Sequence, residues 1–261
     1  MKYLEKQITK TERKWLETLF TYNRKMFRQV GMPSHNENHH LRVWSYVKKI
    51  LKILNDDKFF SEDKLECLIV ATFFHDMGMV YTMDVSHGLE SRRLCENFFR
   101  KGNIQRPAKW EETLNMIEMH DDKEYKIKAD HSSLLSILSI ADDLDAFGLT
   151  GAVRYAEIYL LRGILIEQLP AKIIQNAKRR FFHLHKKFED YPVFMEEQKK
   201  RYESLINFYN ETEKYLPVIQ NINNNIHNTV QFKLTDLVKP ADKSAVKYFL
   251  IQLEKELYEF N

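Results

Sequence analysis

The apolar run Leu68-Ile69-Val70-Ala71-Thr72-Phe73-Phe74 closes directly on His75-Asp76, with Gly78 two residues further on. That junction limits the fold more than any other stretch. Its approach through Asp63-Lys64-Leu65-Glu66-Cys67 reads as the start of a buried helix. An imidazole and a carboxylate are thereby delivered side by side at the end of a core element. Such groups leave water at a high cost unless they are paired or hold a metal. Gly78 stands where a helix C-terminus takes a left-handed residue. For the dipeptide alone, a His-Asp pair that caps a helix and faces water is the plainer alternative.

The rest of the chain reads as nearly all α. Only 7 Gly and 6 Pro in 261 residues favour long helices over a turn-rich β chain. Leu4, Ile8, Trp15, Leu16, Leu19, Phe20, Met26 and Phe27 give residues 3–30 one apolar helical face, whose expected job is packing. After the breakers of 31–38, a buried helix runs 39–54, with His39 in its first turn. A turn at 55–58 precedes the helix that ends in His75-Asp76. Ser86 is the expected N-cap of a helix over 87–99. Pro107 suits the first turn of a further helix, which runs from Trp110 to His120. Asp130 is placed to cap a helix that carries Asp142, Asp143 and Asp145 and stops near Gly148. Thr150 is expected to cap 151–167, Pro170 to open a helix through Phe188, and 193–215 to be helical. The Asn-rich 217–228 shows no clear element. A last amphipathic helix spans about 240–259, its apolar face running from Val246 and Phe249 to Phe260. Three parts are expected: a packing helix in 1–34, the main domain in 35–215, and a helical extension in 216–261.

Composition narrows the function classes. Lys and Arg number 40 against 37 Asp and Glu, a net charge of +3. That is too close to neutral to point to nucleic acid or a membrane surface, and neither partner is expected. Two cysteines, Cys67 and Cys95, make no disulfide framework. With no apolar signal segment at Met1-Lys2-Tyr3-Leu4 and no apolar stretch of membrane length, a cytoplasmic location is expected. A homo-oligomer through the last helix is left open. The basic stretch 178–187 is explained by a solvated face over the apolar stripe of Phe181, Leu184 and Phe188.

Chemistry-bearing residues recur at helix ends: His39, His75-Asp76, His87, His120 and Asp142. Metal sites in helical folds are built this way, from side chains on facing helices. In this order the residues resemble the HD-domain superfamily of metal-dependent phosphohydrolases. His39 stands in His39-x-Leu41-Arg42-Val43, as the family's first histidine precedes a helix. His75-Asp76 is similar to its doublet. His87-x-x-x-Ser91 and Ile117-x-x-His120 match later family positions. Ala141-Asp142-Asp143-Leu144-Asp145-Ala146-x-Gly148 resembles its acidic segment. The resemblance covers roughly 35–155 and weakens to about 215. It implies an all-α HD helical bundle with additional C-terminal helices. The Gly-Tyr-Pro motif of cyclic-dinucleotide phosphodiesterases is missing, as is the Glu-Asp that follows the doublet in alarmone hydrolases. Met79 stands where many HD proteins have Lys.

The resemblance further implies that His39, His75, Asp76 and Asp142 coordinate one divalent ion, Mn²⁺ or Mg²⁺ first, with Fe, Co, Ni or Zn as alternatives. Such an ion would activate water for attack on phosphorus. Asp76, His87 and His120 are the candidate catalytic residues. His87 and His120 either hold a second ion with Asp76 bridging or face the substrate phosphate and protonate the leaving oxygen. Arg42 and Arg92 are candidate phosphate contacts, and Asp145 a candidate orienter of a ligand histidine. Asp143 is expected to be exposed. His35, His40, His131, His183 and His185 are read as structural. The implied activity is hydrolysis of a small phosphate ester or anhydride, most plausibly of a nucleotide. The alternatives are a non-catalytic module that senses a nucleotide with the HD fold, or a helical interaction module.

Overall fold

A helix with no polar side must be enclosed by other elements, and two such helices organise this chain. The computed structural model describes residues 2–54, 60–84, 86–121, 133–228, 233–239 and 244–259. Among these there are eleven α-helices and no strand, which makes the fold all-α. Two compact units divide the chain: Met1–Gln29 with His35–Asp142, and Val30–Ser34 with Asp143–Asn261.

In the first unit, α1 (Lys2–Phe27), α2 (Glu37–Leu54), α4 (His87–Lys101) and α5 (Trp110–Met119) pack around α3 (Glu62–Phe74). Every α3 residue from Leu65 to Phe74 is buried, as the apolar run requires. Asn23 of α1 donates to Phe73 O at 2.7 Å and holds the end of α3. The helix α6 (Leu134–Asp145) carries Asp142 into this unit, and the division falls inside it, after Asp142. The turn expected at 55–58, the cap expected of Asp130, and His131 lie outside the described residues.

The second unit is arranged around α7 (Gly148–Leu161), which is buried almost throughout. Packed on it are α8 (Leu169–Phe188), α9 (Pro192–Asn210), α10 (Thr212–Asn225) and α11 (Ser244–Tyr258). Val246, Phe249 and Leu253 of α11 are buried, so the last helix packs on its own core. The boundary expected at 215/216 falls within α10, and Phe260 lies outside the described residues.

Several local expectations are corrected. The stretch 217–228 is helical as far as Asn225: Val218, Ile219 and Ile222 bury one face of α10, and that burial outweighs the amide hydrogen Pro217 lacks. Thr150 is not the cap of α7. Glu256 of α11 serves its N-terminus, accepting from Leu149 N at 2.8 Å and Thr150 N at 3.3 Å, where a carboxylate also suits the helix dipole. Ser86 precedes α4 without a side-chain capping bond. Gly78 is not left-handed: it lies in a 3-10 turn, Met77–Val80, and is needed for a different reason. A Cβ there would stand 2.0 Å from His87 O, so the glycine lets the turn lie directly against the start of α4. No helix among the described residues is long and apolar enough to cross a membrane.

Candidate metal centre

Five helix ends meet in the first unit and bring six imidazole and carboxylate side chains together. His39 comes from the first turn of α2, His75 caps α3, and Asp76 follows it. His87 opens α4, His120 caps α5, and Asp142 sits near the end of α6. All six are buried, with no more than 6% of each residue's surface exposed.

Asp76 divides them into two groups. Its Oδ2 lies 3.3 Å from His39 Nε2 and 3.4 Å from His75 Nε2. These two nitrogens are 3.2 Å apart, and Asp142 Oδ1 lies 3.7 and 3.9 Å from them. The other oxygen, Oδ1, is 3.0 Å from His120 Nε2 and 3.4 Å from His87 Nε2, which are 3.3 Å from each other. A four-donor and a three-donor set thus share one carboxylate.

The ring orientations are fixed by the backbone. His75 Nδ1 lies 2.7 Å from Thr72 O, His87 Nδ1 2.8 Å from Asp84 O, and His120 Nδ1 2.8 Å from Ile117 O. A carbonyl only accepts, so each Nδ1 carries the hydrogen and each Nε2 turns a lone pair inward. Neutral His87 and His120 would therefore face each other lone pair to lone pair at 3.3 Å. Only a proton or a cation between them relieves that arrangement. Donors about 2.1 Å from a shared ion stand roughly 3 to 4 Å apart at ordinary coordination angles. Both sets fit that spacing.

The titration behaviour follows from burial and mutual charge. Burial alone would raise the Asp76 carboxyl. The charge on His75, with the close approach of the His120, His39 and His87 rings, outweighs it and holds Asp76 well below the usual carboxylate range. Burial opposes a charge on His75 too, yet Asp76 and Asp142 raise it. His87 is pushed up to about 9, because its hydrogen bond to Asp76 and that group's charge overcome desolvation. For His120 desolvation wins, and its pKa is lowered.

The remaining candidates are placed elsewhere. Arg92 joins α4 to α5, with Nη1 2.9 Å from Glu118 Oε2 and further acidic contacts to Glu111 and Glu96. Arg42 is buried on α2. Asp145, in the second unit, accepts from Arg154 Nη1 at 3.0 Å. Asp143 is not exposed: it is buried and pairs with Arg180 of α8. His40 is buried with Nδ1 on Asn36 O at 2.9 Å, and desolvation, with the charges of His75 and His39, holds its pKa well below normal.

Two residues near the centre escaped the sequence reading. Ser91 Oγ donates to His75 O and accepts from Gly78 N, both at 2.7 Å, and so ties α4 to the His75-Asp76 corner. The spacing His87-x-x-x-Ser91 was its only signal. His35 is 6% exposed, with Nε2 3.9 Å from Asp76 Oδ2. As a loop residue it lies outside any periodicity that would have shown where it points.

A family model described as HD domain matches residues 36–146. No curated protein and no solved structure matches the chain.

Proposed function

We propose, from the premise that residues 36–146 are an HD domain, that this chain is a metal-dependent phosphohydrolase acting on a small phosphorylated substrate, a nucleotide first among the candidates. The observation that carries the reading is the buried convergence of His39, His75, Asp76 and Asp142, donors only a cation or shared protons can hold together. These four would hold a divalent ion. When bound, the ion supplies Lewis acidity toward a phosphoryl oxygen and a water that is nucleophilic near neutral pH. Two imidazoles and two carboxylates without a thiolate suit Mn²⁺ and its neighbours.

The chain's own residues supply the rest. Asp76 presents an oxygen to each donor set and fixes their separation. His87 keeps a proton on Nε2 through neutral pH, which equips it to protonate the leaving oxygen as a general acid. His120, lowered by burial, is the neutral partner beside it. Burial of all these groups limits competing water. A second reading, an ion shared by Asp76, His87 and His120, is favoured by the lone-pair geometry of the two rings. The nucleotide assignment rests on analogy with the family rather than on any residue of the site.

A product-resolved assay tests the proposal. Protein with added Mn²⁺ is given nucleoside mono-, di- and triphosphates and cyclic nucleotides, beside Asp76→Ala. Hydrolysis by the parent chain, lost at least a thousandfold in the variant, is the expected outcome. A parent chain with no bound Mn²⁺ would remove the basis of the reading.

A further inference from the structure

The near-neutral total of +3 hides an uneven distribution of charge. Helix α8 carries Lys172, Lys178, Arg179, Arg180, Lys186 and Lys187, and has no Asp or Glu along its 20 residues. It is therefore +6, and the rest of the chain is −3, which is +3 less +6. The helix buries Ile173, Ala177, Leu184 and Phe188 on one side. Lys172, Lys178, Arg179, His185 and Lys186 are exposed on the other. Arg180 pairs with buried Asp143 and is not part of that exposed face.

Phe182 stands in the middle of the exposed face, with 55% of its surface in water. On a helix, the surface neighbours of a residue are those three and four positions away. For Phe182 these are Lys178, Arg179, His185 and Lys186, all of them exposed. Lys186 Nζ lies 4.5 Å from the centre of the ring. Among the described residues, Lys178, Arg179 and Lys186 form no salt bridge. Glu189 and Asp190 follow directly and bound the face at its C-terminal end.

A partner for this face must be anionic and must also cover an aromatic ring. A carboxylate-rich peptide supplies the charge and offers the ring nothing flat to stack on. A lipid surface is entered by several apolar side chains, and Phe182 is the one large apolar side chain of α8 that is exposed. A single strand of nucleic acid meets both demands, since cations can follow its phosphates and its unpaired bases present π-faces. We infer that this face of α8 binds single-stranded nucleic acid, with Lys178, Arg179 and Lys186 on backbone phosphates and Phe182 stacked on an unpaired base. The face belongs to the second unit, and the inference stands whether or not the chain hydrolyses phosphate esters.

The test is fluorescence anisotropy on the full chain with a short labelled oligouridine. A duplex, polyglutamate and phosphatidylserine vesicles serve as competitors at equal charge. The parent should bind the single strand with an affinity that falls as salt rises, because each phosphate neutralised releases counterions. Phe182→Ala should weaken binding about tenfold at every salt concentration, and Phe182→Trp should restore it. Arg179→Gln with Lys186→Gln should flatten the salt dependence. These variants alter exposed side chains only, and matching thermal melts establish that a loss of binding is not unfolding. A parent chain that leaves the oligouridine unbound overturns the inference. So does Phe182→Ala binding as tightly as the parent, which would reduce the face to a general attraction for polyanions. Displacement of the strand by polyglutamate or by vesicles would assign the face to an acidic protein or to a membrane instead. Tighter binding of the duplex would remove the stacked base and the inference with it.

Discussion

His87 and Asp76 set the pH behaviour of the centre. Without an ion, His87 holds its proton until about pH 9, on the same Nε2 that faces Asp76 and His120. That proton stabilises the metal-free fold fully below the ordinary histidine value of 6.5, and the contribution is lost as pH rises through about 9. A cation at Asp76, His87 and His120 must displace it. Affinity there should rise about tenfold per pH unit below 9 and level off above. Mn²⁺ titrations at low, neutral and high pH should show a second equivalent appearing as pH rises, and His87→Ala should abolish that equivalent alone. Uptake of a second ion with no pH dependence would mean that His87 is not protonated where the geometry places the proton.

At the level of elements, the site depends on how closely the 77–80 turn meets α4. Ser91 is fully buried and satisfies His75 O and Gly78 N together. Ser91→Ala leaves a buried acceptor and a buried donor without that partner, at roughly 1–3 kcal/mol each. Denaturation should show a loss of about 2–6 kcal/mol, with weaker Mn²⁺ binding because the corner bearing His75 and Asp76 loosens. A stability change without any change in metal affinity would separate the corner from the centre. Gly78→Ala should be harsher, since its Cβ would have to move His87 O, which lies 2.0 Å away.

The same elements show what could be learned from the chain alone. His39, His75, Asp76, His87, His120 and Asp142 were legible because each sits where an apolar helical pattern starts or stops. The buried α3 was legible because its apolar residues fill every side. The reason for Gly78 was not, because it depends on a backbone atom of α4. The cap of α7 was hidden because Glu256 comes from 106 residues beyond Thr150. Asp143 was misjudged for a similar reason: its partner Arg180 belongs to a helix that begins 24 residues after α6 ends.

For the molecule as a whole, a second buried group adds to the loss of stability that deprotonation of His87 brings as pH rises. Glu157 of α7 is fully buried in the second unit, where its Oε2 accepts from Ser34 N at 3.1 Å and its Oε1 has no hydrogen-bond partner. Desolvation pushes its carboxyl from 4.5 up to about 8, against the backbone hydrogen bond and the charge of Arg154. The folded chain therefore keeps a proton that the unfolded chain releases near 4.5. Between that value and about 8, each rise in pH favours unfolding, and above about 8 the penalty is constant. Glu157→Gln keeps an oxygen for Ser34 and cannot ionise. It should be more stable than the parent by on the order of a few kcal/mol at pH 8 and little changed near pH 4.5. His87 loses its stabilising proton over part of the same window, so the slope of the parent alone assigns nothing. Urea denaturation of both chains with metal chelated removes that ambiguity, because His87 contributes equally and cancels in the difference. A difference that widens from acid to alkaline pH identifies Glu157 as a buried neutral acid. Two parallel curves would show that its carboxylate is stabilised in the fold after all.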